Sequence, residues 1–292
     1  MRGGGQRCST ERLRPAPGLG RLRLMIFRFL SRGAAGALLA GGLALSAVLA
    51  ASTAAAADDA PLVAAASDLR FALDEIAGAF TRETGMAVRI VYGSSGNFRR
   101  QIAEGAPFEL FLSADEAYIF ALAKEGLTAG EGVLYAIGRI ALVVPEGSKL
   151  ALDPELRDIA AAIADGRVRK FAIANPEHAP YGRAAQEALA TAGAWESIRP
   201  HLVLGENVAQ AAQFATSGSA QGGIVALSLA RAPGVLGAAR FVPIPESMHK
   251  PLSQRMVLTK RATATTRAFY QFLRQPAARG VLQRYGFTPP PA

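Results

Sequence analysis

The sequence predicts an α/β fold in which most neighbouring strands run parallel, and two observations predict it. Short apolar runs alternate with longer segments whose apolar residues recur every three or four positions, the patterns of buried strands and of helices packed on one face. Glycine or proline closes several segments, since Pro145 follows a strand and Gly126 and Gly193 follow helices. Strands that alternate with helices form parallel sheets, because each helix returns the chain to the start of the next strand.

These patterns place the elements in chain order. The predicted strands cover residues 62–66, 88–92, 110–113, 140–144, 171–174, 202–204, 223–227, 241–244 and 256–258. The predicted helices cover residues 69–80, 98–104, 115–125, 156–164, 182–192, 208–215, 265–273 and 277–285. The proline-rich end, residues 289–291, is expected to be a frayed tail.

The first 57 residues are predicted to be a leader rather than part of the fold. Two arginines precede an apolar run at residues 34–50, and the alanines at 55–57 form a small-residue cleavage site before Asp58. This pattern is typical of a cleavable secretory signal peptide. The apolar run is diluted with alanine and glycine and is at the short end for a membrane-spanning helix. We therefore expect export and removal of residues 1–57, with Met25 as an alternative first residue.

The composition outside the leader excludes several classes of function. Of 32 basic and 23 acidic residues, eight and one lie in residues 1–57, so residues 58–292 carry a net charge of +2. The pI of 10.2 therefore comes mostly from the leader, and no nucleic-acid partner is expected. The sole cysteine, Cys8, also lies in the leader, which excludes a disulfide, a thiol nucleophile and a cysteine metal ligand from the rest.

Polar or glycine-containing segments stand where four helices are expected to begin, each after a strand. They are Ser67 and Asp68 in AAASDL, Ser94, Ser95 and Gly96 in YGSSGNF, residues 180–182 in HAPYGRA, and Asn207 and Val208 in GENVAQ. The first amides of a helix have no intrahelical partner and carry partial positive charge. Such ends meet at the carboxyl ends of strands, where ligands bind in α/β sheets. They predict an anion site that needs no lysine or arginine.

Ordinary helix capping is the alternative explanation for these four segments, because serine and asparagine are common helix caps. At Ser67, however, a capping box would need Glu or Gln three residues later, where this chain has Arg70. A carboxylate there would occupy the amides and repel an anion, so Arg70 favours a ligand site. The glycine–serine stretch lacks the lysine of a nucleotide phosphate loop.

Together these segments resemble the periplasmic molybdate-binding proteins of ABC transporters. The matching phrases, between residues 62 and 287, are AAASDL, YGSSGNFRRQIAEGAPFELFLSAD, NPEHAPYGRAAQEAL, LGENVAQA, GGIV and LQRYGF. The resemblance implies a two-lobed type II periplasmic-binding-protein fold with the ligand in the cleft between the lobes. It implies a periplasmic, non-enzymatic receptor without a cofactor, which binds molybdate or tungstate and delivers it to an inner-membrane ABC permease. We expect a monomer.

The resemblance also implies the ligand contacts. The molybdenum oxyanion would accept hydrogen bonds from hydroxyl and amide groups of Ser67 and Ser95 and from the amides of Tyr181 and Val208. Asp68 would offer at most its backbone N–H, because its carboxylate should point away from a dianion. Some members place a tyrosine hydroxyl on the anion where this chain has Ala226. Other members have a tyrosine in the APYG loop instead, as here, so we expect a complete site.

The lobes are predicted to divide the chain into three segments after the leader. Residues 58–138 form the first part of lobe one, residues 139–240 form lobe two, and residues 241–292 cross over and return to lobe one with the C-terminal helices. Lobe one would then hold Ser67 and Ser95, and lobe two would hold Tyr181 and Val208.

Two other functions stay open from the residues alone. A receptor for sulfate or another small anion would use the same donors, because the sequence does not fix the radius of the cavity. A periplasmic ester hydrolase would need a serine nucleophile with His178 as its base, but the chain has no G-x-S-x-G elbow. We expect instead that His178 holds the loop that carries the Tyr181 amide. His201 and His249 have unrelated spacings, so no zinc site is expected.

Overall fold

Two five-stranded sheets organise the structure, a computed structural model that describes residues 60–290. The predicted signal peptide at residues 1–57 lies outside the described residues. The strands are β1 Leu62–Ala66, β2 Arg89–Gly93, β3 Phe108–Ser113, β4 Val133–Gly138, β5 Ile140–Val144, β6 Phe171–Ala174, β7 Leu202–Gly205, β8 Gly223–Ala226, β9 Arg240–Pro243 and β10 Leu252–Leu258.

Within residues 60–290 there are ten α-helices and three short 3₁₀ turns, and the last two helices follow the last strand. The helices are α1 Arg70–Thr84, α2 Ser95–Ala103, α3 Glu116–Lys124, α4 Ile159–Ala164, α5 Pro180–Thr191, α6 Trp195–Ile198, α7 Val208–Thr216, α8 Leu227–Arg231, α9 Ala264–Leu273 and α10 Pro276–Arg284. The 3₁₀ turns are Ser67–Leu69, which leads into α1, Arg199–His201 and Glu246–Met248. No helix in this range is long and apolar enough to cross a membrane.

Each sheet combines a parallel trio with two further strands, of which one enters from the other sheet, β10 in the first sheet and β5 in the second. The first sheet has the order β2-β1-β3-β10-β4, in which β1 is parallel to β2 and β3 and β10 is antiparallel to β3 and β4. The second has the order β7-β6-β8-β5-β9, in which β6 is parallel to β7 and β8 and β5 is antiparallel to β8 and β9. The predicted parallel pairing is therefore correct for three strands of each sheet. Strands β10 and β5 run antiparallel to their neighbours, because each is entered from the other sheet and not through a crossover helix within its own sheet.

The chain passes between the two sheets twice. It leaves the first sheet at the end of β4 and enters the second at β5, and it returns between β9 and β10. We call β1–β4, β10 and their helices the first half, and β5–β9 and their helices the second half. Because β9 pairs with β5, the return begins only after Pro243. The predicted lobe boundaries themselves stay a prediction.

Strand register brings the helix starts to one level in each half. Ala66 at the end of β1 pairs with Gly93 at the end of β2, so the turn at Ser67 and the start of α2 lie side by side. Ala174 of β6 pairs with Gly205 of β7, so the starts of α5 and α7 also lie side by side.

The first half has a core on each face of its sheet. On one face Phe80 lies between Phe269 and Phe272, with ring centroids 5.1 and 5.4 Å away. On the other face Phe98 packs against Phe108 with centroids 5.3 Å apart. Successive residues of β1 face opposite cores, as a pleated strand requires. This two-sided burial holds the strand that carries Ser67 rigidly.

Three elements were absent from the sequence prediction: β4, α6 and α8. Helix α8 continues the apolar run of β8 directly, so periodicity does not separate the two. Strand β10 is also four residues longer at its start than predicted, because Gln254 and Arg255 interrupt its apolar run although Gln254 is fully buried.

Candidate functional site

The four predicted helix starts meet in one small cavity between the halves. The cavity measures about 190 Å³ with its open mouth. It is lined by the five residues predicted from the sequence, Ser67, Asp68, Ser95, Tyr181 and Val208, and by Ala66, Gly93, Ser94, Ala114, Ala179, Pro180 and Asn207. The five predicted residues are all buried. The structure thus brings together groups that are up to 141 positions apart in the sequence, from Ser67 to Val208.

Two serine hydroxyls reach the cavity from the first half. Ser67 begins the turn after β1, and Ser95 is the first residue of α2. The Ser95 hydroxyl oxygen accepts a hydrogen bond from the Ala114 amide at 3.0 Å, and that of Ser67 accepts one from the Ala209 amide at 3.3 Å. Neither hydroxyl donates a hydrogen bond to another described residue, so its hydrogen is left to donate to a ligand.

Backbone amides reach the cavity from the second half. Pro180 occupies the first turn of α5, where its missing N–H costs nothing, and Tyr181 follows it. The Asn207 side chain caps α7, because its Oδ1 accepts hydrogen bonds from the amides of Ala209 at 3.0 Å and Gln210 at 3.2 Å. The Val208 amide is not among the amides that this cap satisfies. Among residues 60–290, no protein group accepts a hydrogen bond from the amides of Ser95, Tyr181 or Val208. These amides are the orphan donors that an anion satisfies.

Several contacts close the two halves on each other around the cavity. The His178 carbonyl accepts from the Ser94 hydroxyl at 2.6 Å and from the Gly96 amide at 3.0 Å. The His178 ring Nδ1 lies 2.9 Å from the same hydroxyl oxygen. Asn97 donates to Glu206. His178 therefore holds its loop against the start of α2.

A second group of cross-half contacts involves Arg183 on α5. It pairs with Asp115, and it donates to the Tyr118 hydroxyl at 2.8 Å while its guanidinium lies over the Tyr118 ring. Asp115 also caps α3 by accepting from the Ala117 amide at 2.9 Å. Asp115 thus orders the start of α3 and receives a cation from the other half.

Asp68 has a larger role than the sequence indicated. Its Oδ2 accepts hydrogen bonds from the Tyr181 hydroxyl at 2.9 Å and from Gln254 Nε2 at 2.6 Å. Its Oδ1 is buried and has no hydrogen-bond partner among the described residues. Burial raises the pKa of the Asp68 carboxyl to about 6, against the hydrogen bonds from Gln254 and Tyr181, which lower it.

The sequence prediction missed the contribution of two side chains. It assigned Tyr181 through its amide alone, whereas the hydroxyl also bonds Asp68 across the halves. It did not single out Gln254, whose one signal was a polar residue within an apolar strand. Ala226, where some relatives place a tyrosine, is fully buried at the end of β8 and offers no side-chain donor.

No metal-binding cluster is found in the described part of the chain, where no three His, Cys, Asp or Glu side chains come together to hold an ion. The polar groups of the cavity wall are instead amides, hydroxyls and one carboxylate, which lie among alanine, glycine and proline residues. Such a wall holds an oxyanion through its oxygen atoms rather than a bare cation.

Comparison with known proteins finds similarity along nearly the whole described range. Residues 61–288 match the family model described as a bacterial extracellular solute-binding protein. The molybdate-binding protein ModA of Rhodobacter capsulatus is 35% identical over 252 residues, which cover 85% of this chain and 96% of that protein. The solved structure of the periplasmic molybdate-binding protein of Azotobacter vinelandii has a TM-score of 0.69 at 31% identity, and covers 79% of this chain and 100% of that one. The sulfate-binding protein SubI of Mycobacterium tuberculosis shares the fold, with a TM-score of 0.62 at 19% identity over 79% of this chain and 86% of that one.

Proposed function

Because the chain belongs to the family of bacterial extracellular solute-binding proteins, we propose that it is a periplasmic receptor that binds molybdate and delivers it to an ABC transporter permease. The molybdate is the transported ligand and not a cofactor. The observation that carries the proposal is the meeting of orphan amides and serine hydroxyls from both halves in one buried cavity. The proposed ligand contacts are Ser67, Ser95, Tyr181 and Val208, with Asp68 beside them.

A dianion suits this wall for a physical reason. Hydrogen bonds to a charged group contribute roughly 1.5–3 kcal/mol each, so five or six of them support tight binding after the ordering costs. The donors come from both halves, and a ligand that touches both stabilises the closed arrangement over an open one. No lysine or arginine lines the cavity, so dipoles rather than counter-charges hold the anion.

The first experiment is a calorimetric titration of residues 58–292 with molybdate, tungstate, sulfate and phosphate at neutral pH. This segment includes every helix and strand that the structure describes. We expect submicromolar one-to-one binding of molybdate and tungstate and little heat from sulfate. If none of the four anions gives a binding signal although the protein is folded, the proposal is wrong.

Variants of the two serines test the proposed contacts. Ser67→Ala and Ser95→Ala are expected to weaken molybdate binding tenfold or more, since each removes a hydrogen bond to a charged group worth roughly 1.5–3 kcal/mol. Ser217→Ala, an exposed serine after α7, is the matched control and should bind as wild type does. Wild-type affinity in both cavity variants would show that the anion binds elsewhere.

One acceptor in the cavity wall raises the question of a second ligand class, the protonated oxyanions. A singly protonated oxyanion such as hydrogen phosphate needs an acceptor, and Asp68 Oδ1 is a buried acceptor without a donor. The other oxygen of Asp68 already accepts two hydrogen bonds, and the remaining polar wall consists of donors, which favours an unprotonated anion. If phosphate binds more tightly than molybdate in the same titration, the cavity prefers the protonated anion to the unprotonated one.

We propose no catalytic role for the Ser94–His178 pair. The single hydroxyl hydrogen of Ser94 goes to the His178 carbonyl, so the ring Nδ1 donates to Ser94 rather than taking its proton. Nucleophilic catalysis needs the opposite direction. Turnover of a chromogenic phosphate or sulfate ester that Ser94→Ala abolishes would contradict this assignment.

Export and oligomeric state complete the proposal. The pattern in residues 1–57 supports export through a cleavable signal peptide. One chain supplies every group around the cavity, so a monomer is sufficient for binding.

A further inference from the structure

Four buried polar side chains next to the cavity form one hydrogen-bonded group, which we call the Asp68 cluster. Its members are Gln254, Asp68, Tyr181 and Tyr135, which are 0%, 1%, 3% and 9% exposed. Gln254 Nε2 donates to Asp68 Oδ2 at 2.6 Å and to the Tyr181 hydroxyl at 3.0 Å. The Tyr135 hydroxyl donates to Gln254 Oε1 at 2.6 Å, which fixes the orientation of the Gln254 amide. The cluster therefore has one arrangement of donors and acceptors.

The side chains of the cluster join the two halves through Tyr181, and the backbone of Asp68 adds a second link, because its carbonyl accepts a hydrogen bond from the Ser228 hydroxyl of α8 at 2.7 Å. Asp68, Tyr135 and Gln254 belong to the first half, on the turn after β1, on β4 and on β10. Tyr181 alone comes from the second half, at the start of α5. Its side chain bonds the first half, while its own backbone amide is one of the orphan donors of the cavity. Anchoring the hydroxyl therefore constrains the amide of the same residue.

The backbone at the first crossing leaves room for this contact. A Cβ atom on Gly138 would overlap the Tyr181 hydroxyl and lie 2.8 Å from Gln254 Nε2. Gly138 is the last residue of β4, immediately before the chain passes to the second half. Any larger residue there would displace the Tyr181 hydroxyl from Asp68.

We propose, given the proposed function, that the Asp68 cluster positions Tyr181, so that the closed arrangement of the halves and the direction of the Tyr181 amide toward the anion are set together. Tyr181 is thus both a ligand contact through its amide and a cross-half anchor through its hydroxyl. Packing alone does not require this arrangement. A phenylalanine at position 181 would fill nearly the same volume, and an apolar residue at position 68 would need no hydrogen-bond donors.

Tyr181→Phe tests the proposal by removing the hydroxyl and keeping the amide. We expect molybdate binding to weaken at least tenfold. Tyr92→Phe is the matched control, because the Tyr92 hydroxyl also donates to an aspartate, Asp74, at 2.6 Å but lies on the outer strand β2. Its affinity should equal that of wild type. Urea unfolding of both variants checks that the loss is not a loss of fold.

A ligand-free measurement separates positioning from binding. Residues 58–292 contain no cysteine, so spin labels at Lys124→Cys and Gln213→Cys, one exposed position on each half, report the distance between the halves. We expect Tyr181→Phe to shift this distance distribution toward more open arrangements without any anion, and Tyr92→Phe to leave it unchanged. If wild type fails to bind molybdate while Tyr181→Phe still opens the halves, the proposed ligand is wrong and the anchor is supported.

Gln254→Met provides an independent variant, with similar shape and no donor. We expect it to weaken molybdate binding and to open the ligand-free halves as Tyr181→Phe does. The losses in the double variant should be less than the sum of the single losses, because both changes disrupt one network. The proposal is overturned if the folded Tyr181→Phe variant shows wild-type affinity and wild-type distances. If that variant does not fold, the same result for folded Gln254→Met overturns it.

Discussion

Asp68 is a carboxylate in an environment that disfavours its charge. It is 1% exposed, and burial raises its pKa from 3.8 to about 6 despite the donors Gln254 and Tyr181. The titratable groups that face it are the hydroxyls of Tyr181 and Tyr135, and burial raises the pKa of both well above its ordinary value. Both tyrosines therefore stay neutral, and Asp68 alone titrates within the cluster near neutral pH.

The raised pKa predicts how stability depends on pH. The folded protein keeps the Asp68 proton to higher pH than the unfolded chain does, so this group lowers stability as pH rises from about 4 to about 6. The shift corresponds to about 3 kcal/mol at neutral pH. Asp68→Asn keeps an acceptor for both donors and removes the titration. We expect ligand-free Asp68→Asn to exceed wild type in the free energy of unfolding at pH 7, and the difference to shrink toward pH 4.

Urea unfolding of the ligand-free protein at several pH values measures this difference. Asp74→Asn, on the exposed side of α1, controls for the loss of one negative charge. An Asp68→Asn variant whose unfolding free energy runs parallel to that of wild type over the whole pH range would contradict the raised pKa.

The helix starts depend on close packing against the strands that precede them. A Cβ atom on Gly182 would overlap the Ala174 carbonyl at the end of β6, so α5 approaches the sheet more closely than any larger residue allows. This approach places the Tyr181 amide in the cavity wall. The glycine in APYG is therefore a packing requirement of the site.

Gly182→Ala is expected to destabilise the protein by about 1–3 kcal/mol through overpacking, and to weaken molybdate binding because α5 must move. Gly280→Ala, on the open face of α10 with no atom near its Cβ position, is the matched control. There alanine should stabilise the helix by about 0.5–1 kcal/mol. Urea unfolding measures the stability of the two variants, and calorimetric titration measures their molybdate affinity. Equal stability of both variants would show that α5 has room to adjust.

The elements whose pattern is local were predictable from the sequence. β1, β5 and β6 have the predicted bounds, and the helix starts at Ser95 and Val208 follow glycine- or asparagine-containing turns. The segments that form the cavity wall were identified for the same reason. Gln254 was not identified, because its partner Asp68 lies 186 positions away and nothing near Gln254 in sequence indicates that contact. Strand β10 was predicted too short at its start for the same cause, since its buried polar residue, Gln254, finds its hydrogen-bond partners only in the folded structure.

The charge of the folded protein is spread over its surface rather than gathered at the cavity. Arg183, two residues after Tyr181 of the cavity wall, is paired with Asp115 of the other half. Partly exposed ion pairs contribute little and are screened by salt, whereas buried amides and hydroxyls are screened much less.

Molybdate affinity should therefore depend only weakly on ionic strength. We expect the dissociation constant to change by less than about threefold between about 50 and 500 mM sodium chloride, because burial limits screening of the donors. Calorimetric titration at the two salt concentrations measures it. A tenfold weakening would show that unscreened surface cations contribute to capture.

The two passages of the chain between the sheets lie side by side, since β4 pairs with β10 in one sheet and β5 pairs with β9 in the other. Two rigid bodies joined by adjacent tethers retain one soft rotational coordinate, and other relative motions stretch one tether against the other. In the receptor proposed above, an anion that contacts both halves would favour one position along that coordinate. A permease that senses this single angle distinguishes a loaded receptor from an empty one without contacting the molybdate at all.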